Sequence, residues 1–227
     1  MSLFAISDLH LSLGVDKPMD VFRGWENYVA RLEENWTRLV KPEDTVVIAG
    51  DISWGLDLSE TVEDFRWIDR MPGQKILLKG NHDLWFSTKS KVERFFTENG
   101  FSTLRILFNN AYRYGDYVLC GTRGWMNQPG EADQKVLNRE CGRLKLSLEA
   151  GKALGGEPIV FLHYPPVYAN GECLEILDVL LSYGIKRVYY GHIHGHSAGY
   201  AINGERMGIN FRLLSCDFLQ FVPKQIV

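Results

Sequence analysis

Three features of the sequence predict an α/β fold, a largely parallel sheet with crossover helices. Six short apolar runs, residues 3–6, 45–49, 75–79, 117–120, 159–162 and 187–190, alternate with longer segments of helical period. The 227 residues are 45% hydrophobic and 23% charged, enough apolar content for a deep core and too much for a disordered chain. No Pro- or Ser-rich linker and no repeat divides them, so a single domain over residues 1–227 is expected.

Between the first two runs, Trp25, Val29, Leu32, Trp36 and Leu39 recur at helical steps and predict a helix over about 21–40 that packs on the sheet. Asp57, followed three residues later by Glu60, resembles a capping box for a second helix carrying Val62, Phe65 and Met71, which Pro72-Gly73 ends. A third helix carries Val92, Phe95 and Phe96 and stops at Gly100. The segment 104–114, with Asn109-Asn110 in it, is expected to add another strand. Leu137, Cys141, Leu144 and Leu148 place a fourth helix between 131 and 150, and Leu174, Leu177 and Leu181 a fifth before Gly184. Beyond Gly195, the hairpin signal Asn203-Gly204 precedes an alternation of Ile209, Phe211 and Leu213, then Phe218 and Phe221. This predicts a terminal antiparallel hairpin that completes a second sheet.

Composition narrows the function classes. A net charge of -3 leaves no excess of Lys and Arg to coat a phosphate backbone, so extended nucleic-acid binding is not expected, although a local basic patch stays open. The longest stretch without a charged residue, 188–204, holds three His and four Gly and is too polar to span a bilayer. The N-terminus has no basic segment ahead of its short apolar run, so a cytoplasmic location is expected. The four cysteines, at 120, 141, 173 and 216, form no CxxC pair and read as reduced packing thiols.

The chemistry gathers where the apolar runs end. The first is followed by Asp8-Leu9-His10, whose two-residue spacing points both side chains to one face. The second is followed by Gly50-Asp51, the third by Gly80-Asn81-His82-Asp83, the fifth by His163 and the sixth by Gly191-His192-Ile193-His194. Each group falls at the carboxyl end of a predicted parallel strand, where open α/β sheets bind ligands, so the groups should converge. Five of the six His stand in these places, leaving His196 as a surface residue or a neighbour of the site. Carboxylates, an Asn oxygen and imidazoles without a thiolate suit Mn²⁺, Fe, Zn²⁺ or Co²⁺ better than Ca²⁺ or an iron-sulfur cluster. Asp8, His10, Asp51, Asn81, His163, His192 and His194 exceed the ligands of one metal, which implies two. Cations about 3.5–4 Å apart repel unless an anion bridges them, and a carboxylate such as Asp51 can do so.

In this order the five blocks resemble the calcineurin-like metallophosphoesterase superfamily. The resemblance implies a two-sheet αββα sandwich and a phosphoric ester hydrolase with two divalent or trivalent metal ions. Carried over by position, it makes Asp8, His10, Asp51 and His194 ligands of the first metal, and Asp51, Asn81, His163 and His192 ligands of the second. His82 matches the family's histidine beside the substrate phosphate, and Asp83 orients His82 or braces the loop. A water bridging two cations has its pKa lowered toward neutrality and supplies hydroxide for in-line attack, with His82 stabilising charge or protonating the leaving oxygen. The complete ligand set speaks against the family's metal-free scaffold relatives.

The phosphoprotein phosphatase branch carries Gly-Asp-x-x-Asp-Arg-Gly, whereas this chain has Gly50-Asp51-Ile52-Ser53-Trp54-Gly55 without that arginine. Lipid A precursor hydrolases resemble it at Asp8-Leu9-His10 but carry Arg where His82 stands. What remains is a small prokaryote-like phosphohydrolase acting on a phosphodiester or a nucleotide, with a phosphomonoesterase, a nuclease and an interaction scaffold as alternatives. Asn81, His82 and Arg123 are the candidate substrate contacts, a surface ion pair being the other reading of Arg123. Trp54, Trp85 and Trp125 form an aromatic rim or pack the loops onto the core. Asp133, Lys135 and Arg139 read as a solvated helix face.

Overall fold

The computed structural model describes residues 1–125, 134–169 and 171–227. Its strands are β1 (Leu3–Ile6), β2 (Thr45–Ala49), β3 (Gln74–Leu78), β4 (Leu104–Ile106), β5 (Tyr112–Tyr114), β6 (Tyr117–Thr122), β7 (Glu157–Leu162), β8 (Val167–Tyr168), β9 (Gly171–Glu172), β10 (Arg187–Tyr190), β11 (Gly204–Arg206), β12 (Ile209–Leu213) and β13 (Lys224–Gln225). The helices are α1 (Tyr28–Leu39), α2 (Val62–Arg70), α3 (Lys89–Glu98), α4 (Gln134–Leu154) and α5 (Leu174–Ser182). One sheet runs β13-β1-β2-β3-β4, parallel except for β13. The other runs β11-β12-β10-β7-β6-β5, parallel between antiparallel edge strands β11 and β5.

Period-two alternation sorts the strand side chains into layers. Leu3 and Ala5 of β1 join Val47, Leu78, Leu119, Ile159 and Phe161 in the apolar layer shared by the two sheets. Phe4 and Ile6 face the other way, into a layer with Leu32, Trp36, Phe65 and Phe96 of the first three helices. On the far side Val160, Leu162 and Phe211 pack with Leu144, Leu148, Ile176 and Leu180 of α4 and α5. The result is the αββα sandwich. All four cysteines are free, and among the described residues no helix is long and apolar enough to cross a membrane.

Several boundaries differ from the sequence reading. Helix α1 begins at Tyr28 because Asn27 has a left-handed φ of 52°, which a right-handed helix cannot contain, and Val21 and Phe22 are exposed ahead of it. Asp57 accepts from the N–H groups of Ser59 and Glu60, but Glu60 reaches back to Leu56, and a 3₁₀ turn precedes α2. The segment 104–114 gives one strand to each sheet, with Asn109 left-handed at the crossing. Helix α4 runs on to Leu154, and Glu131 and Asp133 lie outside the described residues. The terminal hairpin turns at Met207-Gly208, with φ of 53° and 74°, not at Asn203-Gly204. Asn203 instead accepts from the N–H of Leu213. Beyond β12 the chain crosses back to the first sheet as β13, so Phe218 is exposed instead of continuing a strand alternation.

Candidate metal centre

The parallel strands deliver the chemical residues to one end of the sandwich. Asp8, His10, Asp51 and His192 all follow strand ends in the left-handed region, with φ of 62°, 46°, 52° and 73°. A non-glycine residue there costs about 1 kcal/mol or more, so the surroundings must hold it. His192 N–H donates to both carboxylate oxygens of Asp8 at 3.1 and 3.0 Å, Ser215 Oγ donates to Asp8 at 3.0 Å, and His82 N–H donates to Asp51 at 2.8 Å. Two glycines permit this closeness: a Cβ on Gly80 would collide with the Asp51 side chain, and one on Gly191 with Ser7 and Asp8.

Two donor groups result. Asp8, His10 and His194 form one, and Asp51, His163 and His192 the other, with the donor atoms of each within 4.8 Å of one another. Asp51 Oδ2 lies 3.4 Å from His163 Nε2 and 3.9 Å from His10 Nε2, so this carboxylate stands between the groups. Asn81 Oδ1 is 2.7 Å from His163 Nε2, whose other nitrogen, Nδ1, lies 3.1 Å from the Ala49 carbonyl. With Nδ1–H given to Ala49, Nε2 faces the oxygens of Asn81 and Asp51, where a proton or a cation offsets their charge. Buried His10 Nδ1 has no hydrogen-bond partner among the described residues, and His194 Nε2 lies 3.2 Å from Asp8 Oδ1. The donor set fits cations.

Electrostatics agree with that fit. Although burial opposes it, the carboxylates of Asp51 and Asp8 raise His163 to about 9. Asp8 and Asp217 likewise overcome burial and raise His194 to about 10. Asp8 itself, despite complete burial, is held far below the usual carboxylate range by His194, His163 and His10. Burial dominates at His10 and His192 and lowers each to about 4, leaving neutral imidazoles ready to ligate. Protons therefore sit where cations would offset the same charge.

The remaining candidates separate by position. His82 is exposed at the mouth, its ring 4.5 Å from Trp54 and 5.7 Å from His10. Asp83 does not touch the His82 ring. Its carboxylate accepts from the N–H groups of Asp51, Ile52, Ser53 and Gly80 and from the Trp85 indole, which ties the second and third blocks together. Trp54 stacks on His10 at 4.8 Å, whereas Trp85 is buried against Phe65 and Trp125 packs on Tyr164. Arg123 stands 3.6 Å from Glu140, and Arg139, read as part of a solvated face, lines the same cavity as Arg123. His196 is exposed and lines a cavity of about 680 Å³ with Phe22, Trp25 and His194.

Sequence reasoning missed Asp217 and Tyr164. Asp217 Oδ1 lies 2.8 Å from His194 Nδ1, the carboxylate–histidine pairing that orients a metal-binding imidazole. Its signal was a carboxylate just past a strand that pairs parallel to β10, hidden because that stretch read as a continuing hairpin. The Tyr164 ring lies 4.4 Å from His192.

The model of the calcineurin-like phosphoesterase family matches residues 1–196. The chain belongs to this family. Metal-dependent hydrolysis of phosphate esters is the activity of the family, and the two Asp/His groups of this chain fit the family's dinuclear metal centre. "Gene 66 protein" of Mycobacterium phage L5 is 38% identical over 80 residues, 34% of this chain and 37% of the phage protein, so the match spans just over a third of that relative. Among solved structures, phosphopantetheinyl hydrolase from Mycobacterium tuberculosis superposes with a TM-score of 0.59 at 13% identity, covering 100% of this chain and 95% of that one. A protein of unknown function from Aquifex aeolicus gives 0.54 at 16% identity, covering 99% and 95%. At these identities the likeness concerns the fold.

Proposed function

We propose that this phosphoesterase cleaves a small phosphodiester or a nucleotide at a two-metal centre. The observation that carries the reading is the carboxylate of Asp51, within 4 Å of a histidine nitrogen from each donor group. In this reading Asp8, His10, Asp51 and His194 hold one cation, and Asp51, Asn81, His163 and His192 the other, with Mn, Fe or Zn suited to the donors. Bound there, two such cations lower the pKa of water toward neutrality and offset charge on the non-bridging phosphate oxygens.

The chain's own residues supply the rest. The exposed imidazole of His82 reaches the mouth and donates a proton to the leaving oxygen or steadies its charge. The rings of Trp54 and His10, stacked on each other, back the His82 ring on one side. Asp217 and Ala49 fix the orientations of His194 and His163. The cavity lined by Met19, Phe22, Trp25 and His194 offers apolar walls to an organic substituent. Ile52 and Ser53 are buried and bring no cation to the phosphate, which suits the single charge of a diester. A single domain and a cytoplasmic location belong to the same reading.

A panel assay tests it: protein reconstituted with Mn²⁺, Fe²⁺ or Zn²⁺, against bis-nitrophenyl phosphate, nitrophenyl phosphate, cyclic nucleotides, a phosphoserine peptide and single-stranded DNA. The highest kcat/KM is expected for the diester or a nucleotide. A clear preference for the peptide refutes the substrate class, and one for DNA makes the protein a nuclease. No turnover by fully metal-loaded protein makes it a scaffold.

A further inference from the structure

A cavity of about 150 Å³ lies between the loops that follow β3 and β4 and helix α4. Its lining carries four cations, Lys79, Arg123, Arg139 and Arg143, against one carboxylate, Glu140, among the described residues. Glu140 is already engaged. One of its oxygens accepts from the Thr122 hydroxyl at 2.7 Å, and the other stands 3.6 Å from both Arg123 and Arg143, within ion-pair range but too far for a hydrogen bond. The buried Nε atoms of Arg123 and Arg143 have no hydrogen-bond partner among the described residues. Aromatic faces support these cations in place of acids: Arg143 lies 4.4 Å from the Phe108 ring centre, and Lys79 lies 5.3 Å from that of Phe86. Like charges held together in a half-enclosed space repel, and an anion placed among them removes the repulsion.

The cavity also shares walls with the metal centre. Lys79 directly precedes Gly80-Asn81, and the Arg123 carbonyl accepts from the N–H groups of His163 and Tyr164 at 3.1 and 2.8 Å. Its volume is about that of five water molecules in the liquid, room for one phosphoryl group and little more. We propose that this cavity is a second anion subsite, which takes a phosphoryl group remote from the ester being cleaved, so that the substrate carries two phosphates. The subsite rests on the phosphohydrolase reading only in calling its occupant part of a substrate.

Isothermal titration of the metal-loaded protein tests it with α,ω-alkanediol bisphosphates of increasing chain length, each against the alkyl monophosphate of equal length. At the length that spans both sites, the bisphosphate should bind at least 10-fold more tightly. That ratio should fall below about 3-fold in Arg143→Gln and in the exposed-site variant Arg139→Glu, and should persist in Arg139→Lys. Equal affinity for the pair at every length, or a ratio that survives both Arg143→Gln and Arg139→Glu, overturns the subsite. Thermal melts check that the variants fold. Turnover of nitrophenyl phosphate reads the hydrolase activity separately, so the failure of one conclusion is distinguishable from that of the other.

Discussion

Replacing Asp217 by alanine should weaken one cation site and spare the other. Asp217 Oδ1 stands 2.8 Å from His194 Nδ1, and Oδ2 accepts from the Gly195 N–H at 2.9 Å. Without it the imidazole loses both a fixed orientation and the charge that keeps its far nitrogen basic. A hydrogen bond to a charged group contributes about 1.5–3 kcal/mol. The side chains are 13% and 30% exposed, so solvent competes and the lower half of that range applies. About 1.5–2 kcal/mol is a 10- to 30-fold loss of affinity. Competition with a fluorescent chelator resolves the two metal equivalents, and the expected result is one equivalent weakened by that factor. Asp217→Asn, whose carboxamide oxygen still accepts from Nδ1–H, should recover most of it. Two equivalents bound by the alanine variant with wild-type affinity would refute the reasoning, and an equal loss at both sites would mean a general collapse of the centre.

Asp51→Asn should lower occupancy of both metal sites, because one carboxylate faces a histidine from each group; metal analysis retaining two full equivalents refutes the bridging role. His82→Ala should keep both metals yet lose about 10²-fold or more in kcat on esters with poor leaving groups, and less on a nitrophenyl ester; an unchanged kcat on both removes His82 from the reaction. Asp83→Ala would strand the N–H groups that its buried carboxylate now satisfies and should destabilise the fold by about 3–5 kcal/mol in urea unfolding; a loss below about 1 kcal/mol refutes the bracing role. Burial raises Asp64 to about 6, against the Ser53 hydroxyl and Leu13 N–H that favour its ionised form. The folded carboxyl therefore holds its proton more tightly than the unfolded one, and its contribution to stability falls as pH rises from about 4 to 6, then levels off. Relative to Asp64→Asn, the wild type should lose about 2–3 kcal/mol between pH 4 and pH 7, and a pH-independent difference in urea unfolding refutes this.

The strands and the five chemical blocks were legible because both depend on local pattern. An apolar run marks a strand, and in a parallel sheet the residues just after it emerge at one end, so Asp8, Asp51, Asn81, His163 and His192 could be grouped without coordinates. Turn and helix starts were less legible. Asn203-Gly204 carries the usual hairpin residues, yet the pairing of Arg206 with Ile209 put the turn at Met207-Gly208, since register is set by which side chains enter the core. Trp25 keeps helical spacing with α1 but lies outside it, buried 5.8 Å from His194, because Asn27 breaks the backbone between them.

By itself, then, the sequence determined the α/β class and the identity of the residues that converge, which follow from periodicities of two and 3.6 and from strand direction, while the αββα layering came from the resemblance of its five blocks to a known family. Only the tertiary structure decided that Asp217 supports His194, that Asp83 braces the loops instead of orienting His82, and that Lys79, Arg123, Arg139 and Arg143 share a cavity. In sequence Asp217, Arg139 and Arg143 look like ordinary surface charges, and Asp83 and Arg123 stand out only as candidates without partners. Their meaning comes from partners brought close by the packing of two sheets and α4, and pairwise electrostatics depend on distance and burial, neither of which local pattern encodes.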